Sequence, residues 1–222
     1  MLIDSHVNLH APQFDADREA VITRARAAGV GLMVNICDRV SNFPAVRMVA
    51  EAPDIWCTVG THPHEAKEDP DLTAAALIAL AADPRVVGIG ECGLDFHYDL
   101  SPREVQAQVL RAHIIAARET GLPLVVHTRE ADEAMGDILE AGFAEGPFRL
   151  LMQSCEFTAC SGRSVRCRGS MPRGWMSFRS NMPLRTLASW AFTAICTIRK
   201  RMCRSSSRSL VFRFRRFTMR SK

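Results

Sequence analysis

The chain has 222 residues, 47% of them apolar, and carries 28 Lys and Arg against 24 Asp and Glu for a formal charge of +4. That length and apolar share suit one medium domain with a real core and exclude a chain disordered throughout. The mild net charge conceals a split, because residues 1–150 hold 12 basic and 23 acidic side chains, whereas 151–222 hold 16 basic ones and a single acid, Glu156. Residues 1–150 are therefore read as one domain and 151–222 as a basic tail of different composition.

In chain order, "MLIDSHV" (1–7) predicts a first strand and residues 15–28 a helix. "VGLMVNIC" (30–37), "IWCTVGTH" (55–62), "VVGIGECGL" (86–94) and "LPLVVHT" (122–128) predict four more strands. Helices are expected between and after them at 42–52, 72–83, 102–120 and 130–141. The alanine-rich run "TAAALIALAA" (73–82) is about half the length that spans a bilayer and is expected as a buried helix. An acid at position 4 and no apolar stretch after a basic start argue against a signal peptide, so a cytoplasmic location is expected. Ser101, Pro102 and Glu104 have the spacing of a capping box, with Gly121 as the stop, and Val105, Val109, Ala112 and Ala116 fall on one face of that helix. "FRLLMQSCEF" (148–157) falls where a sixth strand would begin, and after residue 150 the alternation ends, with only "TLASWAFTAICTI" able to form a short buried element.

Continuous apolar strands alternating with amphipathic helices imply an α/β protein with a parallel sheet covered on both sides. Each unit takes roughly 30 residues, the spacing of an eight-fold barrel of about 250, with an open doubly wound sheet as the alternative. The polar residues favour the barrel: His6 and Asn8, His62 and His64, Glu91 and His127 all sit at or just past the carboxyl ends of strands, where barrel enzymes build their sites.

Residues i and i+2 of a strand share a face, which is why His-x-His suits a metal ion. Here the pair is His6 and Asn8, and a neutral amide oxygen is a poor zinc ligand but an acceptable one for magnesium or calcium. His10 lies about 13 Å further along an extended strand and reaches the site only if the chain turns. Glu91 and His127 could meet His6 across the rim, a mixed set suited to a zinc, manganese or magnesium ion that activates water. Any one of these residues also fits a plain hydrogen-bonded structural role; their convergence on one rim favours a metal centre. His62 and His64 are candidates to position an anionic substrate, or are exposed turn residues beside Pro63. His97 and His113 are expected at the surface. Cys37, Cys57 and Cys92 read as small core residues, and the five tail cysteines lack zinc-ribbon spacing.

"LIDSHVNLH", "GTHPHEA", "VVGIGECGLDFHYD" and "LPLVVHTREA", in this order over residues 1–145, resemble the four successive blocks of the TatD-related metal-dependent hydrolases. The resemblance implies a TIM-like barrel with two divalent ions (Mg, Mn or Zn) that hydrolyses phosphodiester bonds, commonly as a deoxyribonuclease, with DNA as substrate and no membrane partner. It implies His6 as a ligand of one ion, Glu91 as a catalytic ligand shared by two, His127 as a ligand of the second, and His62 on the substrate side. Asn8 stands in the seat of that family's second histidine and His10 in that of its aspartate. The family's later metal-binding histidine and aspartate have no counterpart, since no His follows 127 and no Asp follows 137. The expectation is therefore an incomplete barrel with impaired activity, and a tail that is an out-of-frame or non-homologous replacement. A non-catalytic nucleic-acid-binding protein using the basic tail, and a metal hydrolase of an amide or lactone, are the competing readings.

Overall fold

The apolar runs and the helical patterns between them fold as eleven alternating elements in a computed structural model that describes residues 2–153. These are β1 (Leu2–Val7), α1 (Arg18–Ala27), β2 (Val30–Asn35), α2 (Phe43–Val49), β3 (Ile55–Val59) and α3 (Ala74–Ala81), followed by β4 (Val86–Asp95), α4 (Arg103–Thr120), β5 (Leu124–Arg129), α5 (Asp132–Glu145) and β6 (Leu150–Gln153). The expectations placed on the tail from residue 154 onward lie outside the described residues. Among the described residues no helix is long and apolar enough to cross a membrane.

All strand pairs are parallel, and the order in the sheet is the order in the chain, β1 to β6. A doubly wound sheet reverses its strand order at a switch point. This one never does, so the six strands form an arc of a barrel, as the rim pattern predicts. Every residue of β4 is buried, whereas the first half of β1 is exposed, with Leu2 at 56%. Between them the core takes Met33, Ile55, Val59, Ile89, Leu94, Leu110 and Leu124. Cys37, Cys57 and Cys92 are fully buried free thiols, and burial pushes the first two up to about 12, so all three are structural.

Two glycines set how closely β4 and β5 approach. Gly90 has φ +134°, and a Cβ there would run into the Val125 carbonyl oxygen. Gly93 has φ +146°, and its Cβ would collide with the His127 carbonyl oxygen. Only a residue without a side chain permits that contact. The glycines thus let the strand carrying Glu91 lie against the strand carrying His127.

Four local expectations are corrected. Ser101 caps nothing: α4 starts after Pro102 without a side-chain cap, and the Ser101 hydroxyl instead donates to the His64 carbonyl and accepts from the Lys67 amide. Gln106 takes over the tying role, accepting from the Asp95 amide at 2.8 Å and donating to the Ser101 carbonyl at 2.8 Å. The buried face of α4 consequently runs through Gln106, Val109, Leu110, His113, Ile114, Ala116 and Ala117, while Val105 and Ala112 sit at its margin. His113 is fully buried rather than superficial: its Nε2 accepts the Thr61 amide at 3.0 Å, and its Nδ1–H donates to the Val109 carbonyl at 2.8 Å. Finally, α3 buries only Leu77, because alanines on a helix packed from one side leave the other open.

Candidate metal centre

Glu91 lies in the second half of β4, four residues before its end at Asp95, and is only 4% exposed. Its two carboxylate oxygens face different imidazoles: Oε2 is 3.5 Å from His6 Nε2 at the end of β1, and Oε1 is 3.6 Å from His127 Nδ1 on β5. The second distance exceeds a hydrogen bond, and Oε1 is a buried oxygen with no hydrogen-bond partner. Burial raises the Glu91 pKa, but His127, His62 and His6 outweigh it, so the group is held below its ordinary value. A buried carboxylate with an unsatisfied oxygen, facing imidazoles at non-bonding distance, is the donor arrangement a divalent cation completes. His62, Glu91 and His127 each offer a ligand atom within 4.8 Å of one another, and so do His64, Asp95 and His127.

Asp95, the last residue of β4, has side-chain contacts that the sequence pattern alone did not assign. Its Oδ2 lies 2.8 Å from His64 Nε2 and 3.0 Å from His127 Nε2, while Oδ1 accepts the amides of His97 at 3.1 Å and Tyr98 at 2.8 Å. Burial opposes ionisation, but the Tyr98 amide and the two histidines bring its pKa down to about 2. When the ring is neutral, an ionised acceptor at Nε2 selects the tautomer with the proton on Nε2, which leaves the Nδ1 lone pair toward Glu91. The signal was in the sequence: Glu91, Gly93 and Asp95 alternate on one strand and share a face.

The loop after β3 brings the remaining histidines. The His62 amide donates to the Asp38 carbonyl at 2.8 Å, and His62 Nδ1 accepts the His64 amide at 3.2 Å, leaving the neutral ring with its proton on Nε2. Burial is the main cause that lowers the His62 pKa to about 4, with His127 and His64 adding to it. Its ring centroid is 4.4 Å from that of His64 and 4.5 Å from that of His127. Burial also lowers the His127 pKa, yet Glu91 and Asp95 more than offset it and hold it above its ordinary value.

Of the expected site residues, His62, His64, Glu91 and His127 fall within these two groups, and His6 adjoins them through Glu91 at 3.5 Å. Asn8 lies just past the end of β1, which stops at Val7, and is exposed. The chain turns there, but His10 goes elsewhere: its Nδ1 is 3.4 Å from Asn35 Oδ1 and its Nε2 3.1 Å from Asp38 Oδ1. Asn35 is committed on both sides, accepting from the Leu9 amide and donating to the Val46 carbonyl, so His10 is a buried brace of the rim. His97 lies at the surface as expected, 2.9 Å from Glu130.

The sequence profile of the TatD-related DNases matches residues 3–156. The protein named uncharacterized metal-dependent hydrolase YabD in Bacillus subtilis is 40% identical over 146 residues, 65% of this chain and 57% of that protein. The protein named 3'-5' ssDNA/RNA exonuclease TatD in Erwinia tasmaniensis is 43% identical over 141 residues, 63% of this chain and 54% of that protein. The crystal structure of the TatD homologue YjjV from Escherichia coli K12 superposes with a TM-score of 0.59 at 28% identity, covering 64% of this chain and 56% of that one. The chain therefore spans about half the length of the curated relatives it matches. With the match covering most of its length and the strand order of a barrel arc, the chain belongs to the TatD-related DNase family.

Proposed function

We propose that the rim of this barrel arc is the metal centre of a phosphodiesterase acting on DNA, by descent an exonuclease of single strands, working in the cytoplasm. The observation that carries the reading is Glu91, whose buried, unsatisfied Oε1 and opposite oxygen Oε2 face His127 and His6. In this reading His6 would hold one divalent ion, His127 a second, and Glu91 would serve both. Magnesium, manganese and zinc all fit a set of imidazoles and a carboxylate. When bound, such ions supply Lewis acidity and an activated water for hydrolysis.

The chain's own residues do the rest. His62, kept neutral with its proton on Nε2, is a hydrogen-bond donor suited to a non-bridging phosphate oxygen. His64 lines the same substrate side with its Nε2 engaged by Asp95. Asp95 orients His127. The names carried by the relatives, single-stranded DNA or RNA exonuclease, support a nucleic-acid substrate. The ligands that the family supplies beyond residue 137 have no counterpart in the sequence, so we infer that activity is weak beside that of a full-length relative. The basic composition past β6 and the end of the family match at residue 156 is read as a separate, non-homologous segment.

The test is release of nucleotides from single-stranded oligodeoxynucleotides by the full-length chain with Mg²⁺ or Mn²⁺. The expected result is slow, chelator-sensitive hydrolysis that disappears in Glu91→Gln. Metal-independent hydrolysis, or activity retained in Glu91→Gln, would remove the proposal.

A further inference from the structure

Beside the metal centre stands an aromatic group that the fold does not bury. Tyr98, in the loop from β4 to α4, is 52% exposed. Its ring meets that of His64 edge-on at 5.4 Å and that of His97 at 4.7 Å, and the Arg129 guanidinium lies 4.6 Å from its centroid. His64 in turn is 5.9 Å from His127, so the ring stands one side chain away from the candidate ligands.

The position is rigidly built. The Tyr98 amide donates to Asp95 Oδ1 at 2.8 Å, and Gln106 ties the two ends of the loop through Asp95 and Ser101. Arg129 pairs in register with Asp95 and lies two residues past His127 on β5, hence on the same face of that strand. An exposed cation–π contact stabilises by only about 0.5–1 kcal/mol, too little to explain a fixed, half-open aromatic ring at this rim. Aromatic rings beside a guanidinium and a phosphate-binding centre are what unpaired bases use: the base packs on the ring and the cation neutralises a phosphate.

We propose that Tyr98 and Arg129 form a nucleobase subsite flanking the metal centre, where the base of a single-stranded nucleic acid packs on Tyr98 while its phosphodiester lies over Glu91 and His127. The subsite rests on the phosphodiesterase reading above. A paired base is already stacked in its duplex, so the subsite selects single strands.

Tyr98 is the only tyrosine among the 222 residues, so full-length protein grown on 3-fluorotyrosine carries one ¹⁹F reporter at this point. A short phosphorothioate oligothymidylate in Mg²⁺ is expected to shift that resonance, and an abasic phosphodiester of equal length to leave it in place. By fluorescence anisotropy, Tyr98→Ala is expected to weaken oligothymidylate binding about 5- to 100-fold, with Tyr98→Phe close to the parent and the melting temperature unchanged in both. Tight binding with an unmoved resonance and no loss in Tyr98→Ala overturns the subsite and leaves the phosphodiesterase reading standing. A shift equally large with the abasic probe overturns it too, since the ring then senses phosphate alone. No binding of either probe overturns both.

Discussion

Replacing Asp95 with asparagine separates orientation of His127 from ligation. In the parent, Oδ1 is engaged by the amides of His97 and Tyr98, and Oδ2 sits 2.8 Å from His64 Nε2 and 3.0 Å from His127 Nε2. In Asp95→Asn the new carboxamide would keep its oxygen on the two amides, which turns its NH₂ toward the imidazoles. His127 must then accept at Nε2, and its proton moves to Nδ1, the atom 3.6 Å from Glu91 Oε1. The lone pair offered to the ion is lost, although no proposed ligand has been removed. Loss of such an outer partner typically costs 10- to 100-fold in metal affinity, about 1.4–2.8 kcal/mol. Isothermal titration with Mn²⁺ reads the affinity, and long-range ¹H–¹⁵N correlation spectra of the histidines read the tautomer directly. Parent-like affinity together with an unprotonated His127 Nδ1 in Asp95→Asn would refute the orienting role. A fall in metal stoichiometry with the tautomer unchanged would make Asp95 a ligand instead.

Three further outcomes follow from the same geometry. Because His127 is held above its ordinary pKa by Glu91 and Asp95 in the metal-free protein, Mn²⁺ must displace its proton. Affinity should fall as pH drops from about 8 to about 6, and the heat of binding should depend on the buffer's ionisation enthalpy; a pH-independent affinity contradicts this. His113 has the opposite sign: burial lowers its pKa to about 4, so the unfolded chain binds the extra proton, and stability is lost as pH falls from about 6.5 toward 4, by about 3 kcal/mol in all. His113→Leu orphans the Thr61 amide and should cost roughly 1–3 kcal/mol at pH 7 in urea denaturation, with a shallower pH dependence. Some slope remains because His62 is depressed as well, and unchanged stability at pH 7 would refute the buried bond. Gly93→Ala drives a Cβ into the His127 carbonyl, and the clash should cost on the order of 3 kcal/mol in thermal melts while separating β4 from β5; a parent-like melt would contradict the close approach.

The barrel arc was legible because buried parallel strands read as continuous Val- and Ile-rich runs, and because His6, Glu91 and His127 stand in the carboxyl halves of such strands. Those three residues could be named as candidates one by one, each from its own strand. Asp95 was not assigned, since its role exists only through two histidines contributed by other elements. His113 was misplaced for a related reason: a helix pattern does not reveal that the amide of Thr61, 52 residues earlier, lies in wait for an acceptor. Ser101 carried a helix-start signature that a competing set of hydrogen bonds, led by Gln106, overrode. Asn8 and His10 show how far a motif extends: the strand stops at Val7, and the alternation that would carry a third side chain to the rim stops with it.

The most direct measurement is Mn²⁺ binding to the metal-stripped full-length chain, followed by electron paramagnetic resonance and repeated on Glu91→Ala. Retention of the ion by the parent, with loss of most of that affinity in Glu91→Ala, is the predicted outcome. Equal binding by the two proteins would mean that Glu91 is only a buried acid among histidines, and the centre described here would not exist.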